Sequence, residues 1–155
     1  LKKIYEKIED YLSGSLIVTG LSILFVGVLF RYFLKSPLSW ADEVANYLIV
    51  WGILIGTAVA LRNGHHIQVD VFYDRVSPKM KKIFDTFSSV LGVAFCSLLL
   101  IYSIQLILMY FQTQQTSLQI GIELWKVYLV LPITALMLGY RFIERLIDSM
   151  KGEID

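Results

Sequence analysis

Four long apolar stretches fill most of this chain, at roughly 14–30, 44–61, 87–111 and 127–140, and almost every charged residue lies between or beyond them. The runs are continuous, without the apolar–polar alternation of a half-buried strand or a barrel stave. A helix needs about 20 mostly apolar residues to cross a hydrocarbon core of about 30 Å. A water-soluble domain of 155 residues has no interior that could hide four such runs, whereas a bilayer does. Composition agrees, with 56% hydrophobic and 17% charged residues. The expected fold is an all-α integral membrane protein. It forms a single four-span domain over 1–155, with spans at about 14–34, 42–61, 83–111 and 123–142. Lys126 and Arg141 let the fourth reach spanning length by snorkelling towards the headgroups.

Basic residues set the orientation. Lys2, Lys3 and Lys7 precede the first span; Arg62, Arg75, Lys79, Lys81 and Lys82 follow the second; Arg141, Arg145 and Lys151 finish the chain. These are eleven of the fourteen Lys and Arg, so the positive-inside rule puts both termini in the cytoplasm. A net charge of +1 gives no reason to expect a nucleic-acid partner. The first apolar run has seventeen uncharged residues and no A-x-A-like site after it, which reads as a retained span and not as a cleaved signal peptide. Cys96, alone in the third span, can form neither an internal disulfide nor a metal cluster and reads as a small packing residue.

Local patterns refine this layout. Residues 1–12 read as an amphipathic interfacial helix with Ile4, Tyr5, Ile8, Tyr11 and Leu12 on one face; the alternative is a polar start to the first span. Ser36-Pro37-Leu38-Ser39 breaks the chain before the second helix. There Ser39 and Asp42 have capping spacing, and Asp42 and Glu43 suit the positive end of the dipole. Gly52, Gly56 and Ala60 form a small-residue row that admits a close neighbour, with Asn46 and Tyr47 as polar groups able to bond across it. Trp40 suits the interfacial belt, and Trp51 lies deep enough to pack on protein. Adjacent His65 and His66 point apart and lack a third ligand, which argues against a metal. The third helix should run from Pro78 beyond Tyr110, on the order of 50 Å, and so tilt or project. Gln112–Gln119 reads as an outer loop, and Pro132 should kink the fourth helix.

The centres of the spans hold no Asp, Glu, Lys, Arg or His, the groups an ion-coupled carrier normally keeps near the midplane. Nor is there a nucleophile–base pair or a phosphate loop, so no catalytic, metal or substrate-binding residue can be named and the chain does not read as an enzyme. The candidate positions are structural. Gly52, Gly56, Ala60, Asn46, Tyr47 and Trp51 form a helix-packing or partner interface. Arg31, Trp40, Asp42 and Glu43 would lie on the periplasmic side, where Asp42 or Glu43 could touch a partner; Arg62, His66 and Asp70 would make structural or lipid contacts on the cytoplasmic side.

Phe30-Arg31-Tyr32 closes the first span, and Ser39-Trp40-Ala41-Asp42-Glu43-Val44-Ala45-Asn46-Tyr47 opens the second. Trp51 and Gly56 follow, then Arg62-Asn63-Gly64-His65-His66-Ile67-Gln68-Val69-Asp70. In this order they resemble the small membrane subunit, Q-type or DctQ-like, of tripartite ATP-independent periplasmic (TRAP) transporters. Every fixed position of that family's R-x-G-x-H-I-x-V-D block is matched, while Asp42 stands for the first Glu of its W-x-E-E. The resemblance implies a bacterial inner-membrane scaffold without a cofactor of its own. Its partners would be membrane lipids, a large M-type subunit with the sodium and substrate sites, moving as an elevator, and a periplasmic binding protein for an organic acid such as sialic acid or a C4-dicarboxylate. A small multidrug-exporter-like homodimer is the alternative, but it would need a carboxylate in the first span, and 14–30 has none. A generic membrane anchor or assembly protein is another. A reporter fused after Asp155 should be active in its cytoplasmic form and silent in its periplasmic form.

Overall fold

Helices are the only open structure whose backbone satisfies its own hydrogen bonds in hydrocarbon, and each apolar stretch is helical. The computed structural model describes residues 2–62 and 78–151. The helices are α1 Lys2–Phe33, α2 Ser39–Arg62, α3 Pro78–Thr113, α4 Leu124–Tyr128 and α5 Val130–Lys151. Four segments are long and apolar enough to cross a membrane: Glu6–Phe33, Ser39–Arg62, Ile83–Thr113 and Leu124–Ile147, the last made of α4 and α5. With 36 residues, α3 is about 54 Å long and exceeds the hydrocarbon core. Among the described residues the only β-type pairing is an isolated bridge between Thr116 and Glu123.

The amphipathic stretch at 1–12 is not a separate helix in the interface plane: from Lys2 onward it forms the opening turns of α1. Nothing there breaks the backbone, and the hydroxyls of Ser13 and Ser15 bond back to the carbonyls of Asp10 and Leu12. Its apolar residues Ile4, Ile8, Tyr11 and Leu12 face outward, while Glu9 and Ser13 turn into the protein. At the other end α1 stops at Phe33, with Lys35 in the left-handed region (φ 50°), Ser36 N–H returned to Phe30 carbonyl at 3.3 Å, and Pro37 barring continuation. The fourth span breaks at Leu129, about one turn before Pro132. Pro132 has no N–H to offer the Tyr128 carbonyl, so the disturbance appears upstream of the proline itself. Stretched 3.4 Å bonds, Leu129 N–H to Lys126 carbonyl and Ile133 N–H to Leu129 carbonyl, span the break.

The helices do not close into a four-cornered bundle. Their main contacts run in a row, α1 to α2, α2 to α5 and α5 to α3, with α1 and α3 at its two ends. Short α4 leans on the end of α3, where Tyr110 stacks on Tyr128 at 4.9 Å and Phe111 meets Trp125 edge-on at 5.9 Å. On the other side of the row α1 and α2 touch backbone to backbone. A Cβ on Gly52 would stand 2.6 Å from Ile17 Cγ1 and 3.0 Å from both the Ile17 nitrogen and the Ser13 carbonyl. One on Gly20 would stand 2.7 Å from Ile49 Cγ1 and 3.0 Å from the Ala45 carbonyl. Buried Ala41 and Ala45 complete this seam; at the other end of the row the ring of Phe142 of α5 lies on Gly92 of α3.

Within the subunit, the small-residue row of α2 is engaged only in part. Gly52 is in the contact, a Cβ on Gly56 would have only the Ser13 side chain near it, its Cβ at 3.7 Å and its Oγ at 4.0 Å, and Ala60 is exposed. Each four-residue step turns the helix by about 40°, so Ala60 faces about 80° away from Gly52. The seam instead follows a seven-residue spacing on α1, through Ser13, Gly20 and Gly27. Gly52→Ala should lower the melting temperature of the detergent-solubilised protein, at a cost of about 1–3 kcal/mol from overpacking. Gly56→Ala should leave it within about 0.5 kcal/mol of the parent.

Candidate functional site

The charged residues that the sequence scatters around the spans come together at the two ends of the row. At one end, Glu9 of α1 is 4% exposed and its Oε2 accepts from Arg62 Nη1 of α2 at 3.3 Å and from Arg141 Nη2 of α5 at 3.2 Å. Arg62 also donates to the Glu6 carbonyl at 3.1 Å and to Asp10 Oδ1 at 2.6 Å, which fixes its fork against α1. One turn along α5, Arg145 reaches Asp85 of α3 at 3.4 Å, and the hydroxyls of Thr86 and Ser149 meet at 2.8 Å. All four spanning helices are thus joined at this end. Glu9 is the member shared by both hairpins.

The opposite end is held by bonds to Glu43, an exposed ion pair and an indole bond. Glu43 accepts from the Tyr47 hydroxyl at 2.6 Å through Oε1 and from the backbone N–H of Gln119 at 2.9 Å through Oε2. The second bond draws the 114–123 loop onto α2. That loop is folded on itself: Ser117 N–H bonds the Ile122 carbonyl at 2.8 Å, and Gln114 (φ 50°) and Gly121 (φ 73°) supply the left-handed turns. Arg31 pairs with Asp42 across α1 and α2, both side chains about half exposed, and such surface pairs contribute little stability. Deeper in the span, the Trp51 indole N–H donates to the Val127 carbonyl at 2.9 Å and ties α2 to α4.

An open cavity of about 560 Å³ lies at this end, lined by Arg31, Asp42, Glu43, Asn46, Tyr47 and Gln119 among others. It gathers four of the positions singled out from the sequence for partner contact, and Trp40 stays exposed beside them on α2. Asp42 and Glu43 spend their charge across helices, on Arg31 and on the loop, where the sequence offered a helix-end role as the plainer reading. Arg62 is turned inward, against α1, while His66 and Asp70 lie outside the described residues. Sequence reading missed Glu9 and Arg141 as a pair 132 residues apart. A signal was present: Glu9 stands four residues before Ser13, one turn beyond the Ser13–Gly20–Gly27 seam, and so on the buried side of α1. Among the described residues no group of three His, Cys, Asp or Glu side chains could hold a metal ion.

Comparison with known proteins bears on what such a row is for. The family of tripartite ATP-independent periplasmic transporters, DctQ component, matches residues 20–152. The chain is 29% identical over 146 residues to the sialic acid TRAP transporter permease protein SiaT of Haemophilus influenzae, covering 92% of this chain and 23% of that longer protein. It is 24% identical over 172 residues to the C4-dicarboxylate TRAP transporter small permease protein DctQ of Rhodobacter capsulatus, covering 92% of this chain and 76% of the other. It is 26% identical over 155 residues to the sialic acid TRAP transporter small permease protein SiaQ of Vibrio cholerae, covering 97% and 86%. These matches do not favour a multidrug-exporter-like dimer or a generic anchor.

Removing one partner from a buried ion cluster strands the others in a poorly solvating medium, at a typical cost of about 3–5 kcal/mol. Glu9→Ala should therefore destabilise the protein strongly in thermal unfolding, because it removes the carboxylate between two cations and leaves Asp10 with Arg62 and Glu144 with Arg141. Asp10→Ala, which removes a half-exposed partner of Arg62, should cost under about 1 kcal/mol.

Proposed function

Because the chain belongs to the DctQ family of small permease components of TRAP transporters, we propose that it works as a fixed, non-catalytic frame for a large transporter subunit. It is a multi-pass protein of the bacterial inner membrane. In this reading the large M-type subunit holds the substrate and sodium sites and moves, while this chain stays still beside it. A periplasmic binding protein delivers the solute. Both termini and the Glu9 cluster face the cytoplasm, and the Glu43 end faces the periplasm, in keeping with the distribution of Lys and Arg.

The observation that carries the reading is the double fastening of the row. Glu9 binds Arg62 and Arg141 at one end, and Glu43 and Trp51 bind the Gln119 loop and the Val127 carbonyl towards the other. Helices fastened at both ends cannot slide past one another to expose a solute alternately to two sides. They can hold a neighbour in place. The cavity at the Glu43 end opens to the periplasm in this orientation, where Arg31, Asp42 and Asn46 offer polar contacts to the binding protein or to outer loops of the large subunit.

The transported solute is an organic acid, of the sialic acid or C4-dicarboxylate type. SiaT and SiaQ are named for sialic acid and the Rhodobacter DctQ for C4-dicarboxylates, and a choice between them rests with the partner subunits. Liposomes containing this chain by itself should show no uptake of either. Liposomes with this chain, its large subunit and the matching binding protein should show sodium-dependent uptake. Solute flux through this chain alone, or full uptake by the large subunit without it, would overturn the reading.

A further inference from the structure

The proposed function puts a large subunit beside this chain; the structure adds which side of the row it stands on. Only 11% of the apolar window of α3 is buried within the chain, against 17%, 22% and 22% for the other three spans. Its outward side, with Leu131 of α5, forms a groove of about 430 Å³ whose walls include Tyr102, Gln105 and Met109. Gln105 lies seven residues before Gln112 at the polar end of α3, hence about 10 Å further into the membrane. With Gln112 at the headgroup boundary, Gln105 stands among acyl chains.

Gln105 is exposed there, and among the described residues its amide has no hydrogen-bond partner, nor has the Tyr102 hydroxyl one turn away. Several exposed hydroxyls in the spans satisfy themselves. Ser22, Thr57 and Ser97 donate to carbonyls of their own helices at 2.8, 2.7 and 2.8 Å. An amide carries two donors and an acceptor, and lipid tails answer none of them. Polar side chains at such depth act as bonds between helices.

We infer that the α3 groove around Gln105 receives a transmembrane helix of the large subunit, which supplies a polar side chain or a free carbonyl to the Gln105 amide. The occupant has to bring polar atoms to a depth that acyl chains fill with methylenes and that headgroups do not reach. In SiaT, the segment matched by this chain is 23% of one longer polypeptide, so a large membrane neighbour is permanently at hand. At the opposite end of the row, α1 turns outward Val18, Leu21, Phe25 and Val28, with the single hydroxyls of Thr19 and Ser22 and no amide among them.

The test places the photo-crosslinker p-benzoyl-phenylalanine at position 105, or at position 25 as the contrast, in membranes containing both subunits. Crosslinking to the large subunit from 105 and not from 25 is the expected result. In addition, Gln105→Leu should reduce the large subunit recovered with this chain by about threefold, the size of an average interhelical hydrogen bond in a bilayer. It should leave the melting temperature of the isolated chain unchanged, since Gln105 has no partner within it. Crosslinking from 105 only to lipid or to a second copy of the chain would overturn the inference. So would crosslinking to the large subunit from 25 alone, with the proposed function intact. If the large subunit neither crosslinks nor co-purifies, both fall.

Discussion

Two apolar helices in hydrocarbon gain nothing by hiding from water, so whatever holds this row together has to come from contact and from polar bonds. The α1–α2 pair answers with contact. Gly20 and Gly52 let each backbone come so near that a methyl group at either position would meet a main-chain atom at about 3.0 Å. That proximity multiplies weak dispersion contacts that lipid tails, being mobile, match poorly. The junction of this pair with the fourth span is looser, and there polar bonds take over: Glu9 of α1 with Arg141 of α5 at one depth, Trp51 of α2 with the Val127 carbonyl of α4 at another.

The two kinds of fastening differ in how they fail. A glycine seam loses fit gradually as side chains grow. A shared carboxylate fails more abruptly, since Arg62 and Arg141 meet at the same oxygen of Glu9, and Asp10 and Glu144, which also pair with them, do not join α2 to α5. Concentrating charge in this way is costly in a medium of low polarity, and apolar residues could often do the same holding more cheaply. What ions supply and methyl groups do not is register, because only one vertical alignment of α1, α2 and α5 brings those three side chains together. For a part whose task is to stay in shape beside a moving neighbour, register matters more than depth of stability.

The number, length and type of the spanning helices were legible in the sequence because apolar runs of this length have one solution in a bilayer. The arrangement was not. Small residues on α2 recur every four positions as well as along the true seam, and no rule applied to α2 alone could show that Ala60 turns away while Gly52 faces Ile17. Partners far apart in the chain were hidden for a related reason. Arg141 and Arg62 read equally well as charges that set orientation, and only the proximity of α5 to α1 shows that they meet at Glu9. The same holds at the other end, where Glu43 and Gln119 are 76 residues apart and an acidic residue near a helix start already had a local explanation.

Laying four helices in a row gives the molecule a stiff and a compliant direction. With neighbouring axes about 8–10 Å apart, α1 and α3 sit at the ends of an arm of about 27 Å. Rocking the row within its own plane by about 10° would lift one end and sink the other by about 5 Å in total, drawing polar ends into hydrocarbon and exposing apolar rings to water at a cost that grows with every ångström. Rocking across the plane has a lever only one helix wide and meets far less opposition. Moored along a canoe-like neighbour, such an outrigger would steady it against roll in one chosen direction and leave it free in the other.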